Sequence, residues 1–232
     1  MPRILVIEHH AADTPGALAP ALGRAGFSLD LVRRHAGEAL PASVADHAGL
    51  VLLGGPMGAA DPALAPEYRL LEQALAAGMP VLGICLGSQM LATALGGTVA
   101  RAPRSEVGWH AIDLTPPATC DALFQVFPPR FTTFHWHGDA FTLPPGAVAL
   151  ASSALTPCQA FRHGPRTYGL QFHLEADRPV LEAMASAYGD ELDDAGLAPA
   201  ALFDEAGRYL ADHARYGAAF FAGWARLAKE NT

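Results

Sequence analysis

Over the first hundred residues, short runs rich in apolar residues alternate with stretches that are apolar on one side only. "RILVIE" (3–8), "SLDLVRR" (28–34), "AGLVLLGG" (48–55) and "PVLGIC" (80–85) have the length and composition of strands. Between them, a helix is expected from about Thr14, with Pro15 suited to its first turn and Gly26 to its end. "PEYRLLEQALAAG" places Leu70, Leu71, Ala74 and Leu75 at helical spacing and ends on Gly78. "LGSQMLATALGG" predicts another helix, closed by Gly96. Strands apolar on both faces and separated by helices imply a parallel sheet covered on both sides. The expected fold is therefore α/β, three layers (α/β/α) around a mainly parallel central sheet. In such sheets ligands bind beyond the carboxyl ends of the strands, where "GGPMG" and "CLGSQ" both fall.

After Gly97 the pattern changes to "EVGWHAIDLT", "FTTFHWHG", "AVALASS" and "TYGLQFHLE", which read as strands joined by proline-rich turns. "DELDDAGLAP" reads as an acidic connector leading to a last helix with a stripe at Tyr209, Tyr216, Phe220, Trp224 and Leu227. This gives a main domain over 1–189 and a C-terminal helical extension over 190–232 packed on it.

Composition narrows the function classes. With 51% hydrophobic and 16% charged residues in 232, the chain has enough apolar surface for a large core. A formal net charge of −8 argues against nucleic acid, since no basic patch is available to neutralise phosphates. No apolar run approaches a membrane span, and "MPRILVIE" enters a strand without the features of a signal peptide, so a cytoplasmic protein is expected. Three widely spaced cysteines, Cys85, Cys120 and Cys158, fit a reducing compartment and supply neither a disulfide framework nor a paired-cysteine zinc pattern.

The chemistry gathers around Gly83-Ile84-Cys85-Leu86-Gly87, the spacing of a nucleophile elbow with cysteine in place of serine. At a helix N-terminus the free amides and the dipole favour a thiolate. A small buried hydrophobe at a βα turn has the same local sequence, so this motif alone leaves both readings open. A nucleophile needs a base, and the base an orienting group. "QFHLE" offers both, because residues two apart on a strand, His173 and Glu175, face the same way. "LLGGPMG" adds a glycine turn after a neighbouring strand, where the Gly55 amide and the Leu86 amide are candidates for an oxyanion hole. Phosphate-binding spacings are absent.

Taken in order, "GGPMG", "GICLGSQ", "EVGW", "HWHGD" and "QFHLE" resemble the class I (triad-type) glutamine amidotransferases, especially stand-alone members similar to the glutaminase domain of GMP synthase. The resemblance runs from Ile4 to about Glu175. It implies a Cys85–His173–Glu175 triad that hydrolyses the glutamine side-chain amide through a γ-glutamyl thioester and passes ammonia to a synthetase. It also implies an oxyanion hole at Gly55 and Leu86. Substrate contacts would come from Gly54, Pro56, Gln89, Trp136, His137, Gly138 and Asp139. No cofactor is implied. Trp136 stands where the GMP synthase domains often carry serine, and no ammonia-accepting domain follows in the sequence. The expected partner is therefore an acceptor or synthetase in trans. The alternative is a γ-glutamyl peptidase, which some stand-alone relatives are, and a non-enzymatic alternative is a regulatory module with the same fold.

Other histidines invite a chemical reading. His9 and His10 are expected to be solvated in a loop near the catalytic edge. His135 and His137 alternate around Trp136 with metal-ligand spacing, but no further cysteine or histidine stands at a suitable distance, so no metal site is expected.

Overall fold

The computed structural model describes residues 1–230. Its centre is one nine-stranded sheet. Strands β1 (Arg3–Glu8), β2 (Ser28–Arg33), β3 (Gly49–Leu52), β4 (Val81–Ile84) and β9 (Thr167–Leu170) form a parallel half in the order β2-β1-β3-β4-β9. From β9 outward the sheet turns antiparallel through β8 (Ala160–His163), β7 (Val148–Ser152), β5 (Val99–Leu114) and β6 (Arg130–Phe141). The parallel half has the fully buried β3 and β4 that its all-apolar sequence requires. The antiparallel half comes from the segments joined by proline-rich turns.

Helices cover both faces, giving the expected three layers. α2 (Ala65–Ala76) and α3 (Leu86–Ala94) lay Leu70, Leu71, Met90 and Leu91 against one face. On the other face, α1 (Leu18–Arg24) and α6 (Pro199–Lys229) join a core that contains Leu18, Leu22, Phe220, Phe221 and Trp224. The aromatic stripe read from the sequence is thus core packing: Phe220 and Trp224 have no exposed surface. Burying a side chain of that size contributes about 2 kcal/mol or more, so α6 is an integral covering layer. It spans 31 residues, yet no helix among the described residues is long and apolar enough to cross a membrane.

Three local expectations change. The first helix begins at Leu18, because Gly16 adopts φ +43° and the Ala17 N–H donates to the Glu175 carbonyl at 2.9 Å. The acidic segment includes a short helix, α5 (Gly189–Asp194), which follows α4 (Arg178–Ala187). Finally, β9 stops at Leu170: its neighbour β4 ends at Ile84, and the next residue, Cys85, donates its N–H to the Leu170 carbonyl. His173 and Glu175 therefore lie in the turn beyond the strand rather than on one strand face.

Candidate active site

Cys85 joins β4 to α3 with φ +50° and ψ −110°, the only non-glycine residue with positive φ among the described residues. Such a backbone costs of order 1–3 kcal/mol and persists only where the surroundings impose it. Two glycines impose it here. A Cβ on Gly87 would lie 2.1 Å from the Leu52 carbonyl oxygen, and one on Gly83 would lie 2.4 Å from the Gly87 carbonyl oxygen. The helix start thus presses directly on β3 and β4, and the sulfur projects from a sharp elbow.

His173 and Glu175 meet it from the turn after β9. The His173 N–H donates to the Phe134 carbonyl at 2.8 Å, and its Nδ1 lies 2.8 Å from Glu175 Oε1; both side chains are fully buried. Nδ1–H donating to the carboxylate leaves Nε2 for chemistry, and Nε2 has no hydrogen-bond partner in the protein. Burial, the largest influence, lowers the affinity of His173 for a proton. Glu175 and Cys85 together outweigh it and hold the imidazolium well above its ordinary range. An imidazolium at this point is the electrostatic partner a thiolate needs. The thiol itself donates to the Trp136 carbonyl at 3.6 Å, while Gln171 Nε2 donates to the sulfur at 3.8 Å. The sulfur is thus held between the β6 backbone and the Gln171 side chain, close enough to His173 to raise its affinity for a proton. The other cysteines lie elsewhere: burial pushes the Cys158 thiol up to about 12, and Cys120 is exposed on a 3₁₀ turn.

Gly55 and Leu86 come together beside the elbow. A Cβ on Gly55 would stand 3.1 Å from Leu86 Cδ2 and 2.8 Å from His9 Cβ, so only glycine fits. Leu86 opens α3, and its N–H has no helical carbonyl behind it. His9 is not solvated: it is buried, and its ring nitrogen lies 3.1 Å from the Leu53 carbonyl. His10 is half-buried, with Nδ1 2.8 Å from the Tyr188 hydroxyl.

A pocket of about 210 Å³ opens over Cys85. Of the residues read as substrate contacts, Pro56, Gln89, Trp136, His137, Gly138 and Asp139 line it together with Gly55 and Leu86. Gly54 does not; it lies behind, where a Cβ would sit 3.0 Å from His173 Cε1. Gln89 Nε2 bridges the Asp139 carbonyl at 3.3 Å and Gln171 Oε1 at 3.4 Å.

The rest of the lining was not read from the sequence: Asp13, Met57, Arg101, Met184, Tyr188 and Glu191. Arg101 reaches the pocket because β5 is irregular between Arg101 and Glu106; its Nη1 lies 3.7 Å from Asp139 Oδ1. Tyr188 donates to Asp13 Oδ2, and Trp136 Nε1 donates to Glu191 Oε2 at 2.9 Å. Burial raises the Asp13 carboxyl above its usual range, against the pull of His173 and the Tyr188 hydroxyl. α4 and α5 thus close one wall of the pocket. Only the acidity of "DELDD" hinted at this, and acidity gives no contact.

Comparison with known proteins agrees with the geometry. Residues 14–182 match the family model for glutamine amidotransferase class-I. The chain is 32% identical over 200 residues to the glutamine amidotransferase-like protein YfeJ of Salmonella typhimurium, covering 83% of this chain and 84% of that one. It is 42% identical over 130 residues to the glutamine-hydrolyzing GMP synthase of a Parafrankia species, covering 55% of this chain but only 23% of that protein. Among solved structures, a glutamine amidotransferase of Thermotoga maritima superposes with a TM-score of 0.86 at 32% identity, over 98% of both chains. One from Methylobacillus flagellatus reaches 0.89 at 28% identity, over 98% of this chain and 95% of that one.

Proposed function

Because the chain belongs to the class I glutamine amidotransferase family, we propose that it hydrolyses the side-chain amide of glutamine through a γ-glutamyl thioester on Cys85. The thiolate attacks the amide carbon, and the developing oxyanion is held by the Gly55 and Leu86 N–H groups. Collapse of this intermediate breaks the C–N bond, and His173 Nε2 gives its proton to the leaving ammonia. The same nitrogen then takes a proton from water, which attacks the thioester and releases glutamate and the thiolate. Glu175 keeps the proton on Nδ1 and stabilises the imidazolium. Arg101 and Asp139, 3.7 Å apart at the mouth, suit the α-carboxylate and α-ammonium of the substrate. The ammonia is delivered to a synthetase or other acceptor in trans.

The observation that carries this reading is the strained elbow, which holds a sulfur over a pocket beside a buried His–Glu pair. A second reading, hydrolysis of a γ-glutamyl peptide or amide, is favoured by the pocket's continuation past Trp136 to Tyr188 and Glu191. Ammonia release from glutamine and amine release from a γ-glutamyl dipeptide, measured on the purified chain, separate the two. Slow turnover of glutamine that is lost in Cys85→Ala supports the first. Brisk turnover of the dipeptide, with glutamine poor, selects the second. No turnover and no acylation of Cys85 by a glutamine-directed electrophile leaves a regulatory module.

A further inference from the structure

Beneath Trp136, on the opposite side of β6 from its indole, lies a second group of buried side chains able to bind a ligand. In the β5–β6 register Glu106 faces His137, and His135 follows two residues away on the same face. One carboxylate oxygen and one nitrogen from each imidazole lie within 4.8 Å of one another, and all three residues are buried. The sequence showed only the two histidines; antiparallel pairing brings the third donor from a segment thirty residues earlier.

Three features separate this group from ordinary core polar residues. The Glu106 carboxylate has no lysine or arginine partner among the described residues. Its Oε2 accepts from the Thr156 hydroxyl and from Gln159 Nε2 at 2.7 Å, both neutral, with His137 Nε2 3.5 Å away. A buried anion without countercharge is costly. Next, both ring nitrogens of His135 lack a hydrogen-bond partner, although the residue has no exposed surface. Buried polar atoms nearly always have one, so two orphans on one ring mark a missing partner. Last, His137 Nδ1 lies 3.0 Å from the Asp139 carbonyl. That contact fixes the N–H on Nδ1 and turns the Nε2 lone pair toward Glu106, the support that metal-ligating imidazoles commonly receive.

We propose that Glu106, His135 and His137 bind a divalent transition-metal ion, zinc by preference. Two imidazoles and one carboxylate suit a borderline cation and leave a position for water, whereas magnesium or calcium would require more oxygen donors. The ion supplies the countercharge Glu106 lacks and the partner His135 lacks. A cleft lined by Arg104, His110 and Leu155 lies next to the group, with the His110 ring edge-on to His135 at 5.4 Å between centroids. The ion would tie β5 to β6 directly behind the backbone that accepts the Cys85 thiol and beside His137, which lines the pocket. Its role is to hold that wall in place, not to react.

The test is metal content after stripping the full chain with a chelator, adding Zn²⁺ and desalting. About one equivalent per chain is expected for the wild type and for Cys85→Ala, and almost none for His135→Met or Glu106→Gln. Cobalt in place of zinc should give the visible absorption of a four-coordinate ion. If His135→Met does not fold by circular dichroism, Gln159→Ala removes an amide that supports two of the ligands, Glu106 Oε2 at 2.7 Å and His137 Nε2 at 3.4 Å, and should weaken binding about 10–100-fold. A wild type that retains no zinc overturns the proposal. So does retention unchanged in the folded His135→Met variant, or in Gln159→Ala where that variant replaces it. Loss of zinc in Cys85→Ala would place the ion on the catalytic thiol instead.

Discussion

His173 Nδ1 and Glu175 Oε1 are 2.8 Å apart although neither residue is in a strand; the turn after β9 makes the pair. Backbone bonds hold both ends of that turn, from His173 N–H to the Phe134 carbonyl and from Ala17 N–H to the Glu175 carbonyl. The imidazole is thereby anchored to β6 and the carboxylate to the loop before α1.

Glu175→Gln tests that relationship. Removing the carboxylate takes away the leading influence that raises His173. The imidazolium should then lose its proton at lower pH, carrying the alkaline limb of the kcat/KM profile downward. We expect kcat to fall about 10²–10⁴-fold, with KM less affected. A profile whose alkaline limb stays in place would show that Glu175 does not govern His173.

Cys85→Ala should lower ammonia release by about 10⁴-fold or more, since the attacking atom is gone. Labelling by a glutamine-directed electrophile, read by intact-mass spectrometry, should vanish with it. Cys120→Ala and Cys158→Ala should label normally; the Cys158 thiol, pushed up to about 12, is protonated at neutral pH. Persistent labelling of Cys85→Ala would move the nucleophile elsewhere.

How much of this was legible follows from how local each signal is. The elbow could be read because the two crowded positions, Gly83 and Gly87, stand two residues either side of Cys85. The parallel half of the sheet could be read from runs that are apolar on both faces. His173 and Glu175 do lie side by side, but not by the strand alternation read from the sequence, since β9 ends at Leu170. What stayed hidden depends on distant packing. Glu106 joins His137 only through the β5–β6 register, and Tyr188 and Glu191 reach Asp13 and Trp136 only because α4 and α5 fold over the pocket.

Gly87→Ala should damage the elbow more than a helix-favouring substitution ordinarily would. Alanine stabilises most helical positions relative to glycine, by roughly 1 kcal/mol. Here its Cβ would meet the Leu52 carbonyl oxygen at 2.1 Å, and backbone cannot yield as a flexible side chain does. The expected result is a loss of about 3 kcal/mol or more in denaturant unfolding. Unchanged stability would mean that α3 is not pressed against β3 as described.

His213 should make the fold acid-sensitive. It is buried on α6, its Nδ1 lies 3.0 Å from the Thr133 hydroxyl, and burial lowers it to about 4. The unfolded chain, with an ordinary histidine near 6.5, binds this proton first as pH falls. The contribution is therefore fully present above about pH 6.5 and is lost progressively down to about pH 4, amounting to about 3 kcal/mol. His213→Phe should flatten the slope of unfolding free energy against pH in that window by about one proton. An unaltered slope would assign the acid sensitivity to other groups.

Arg101 gives the sharpest separation of binding from chemistry. Its side chain is 74% exposed, so Arg101→Gln should leave stability within about 0.5 kcal/mol. Yet it lines the pocket, and its guanidinium lies against Gly138, where a Cβ would stand 2.0 Å from Nη1. If the guanidinium pairs with the α-carboxylate, losing a charged hydrogen bond worth about 1.5–3 kcal/mol should raise KM for glutamine about 10–100-fold. The effect on kcat should be small, because the carboxylate carries the same charge in ground and transition states. Steady-state kinetics of Arg101→Gln on glutamine and on glutaramate, which lacks the α-ammonium but keeps the carboxylate, provide the check. The fold-loss should be similar for the two, since both present the group that Arg101 holds. An unchanged KM for glutamine would remove Arg101 from substrate recognition and leave the carboxylate to the backbone around Gly138.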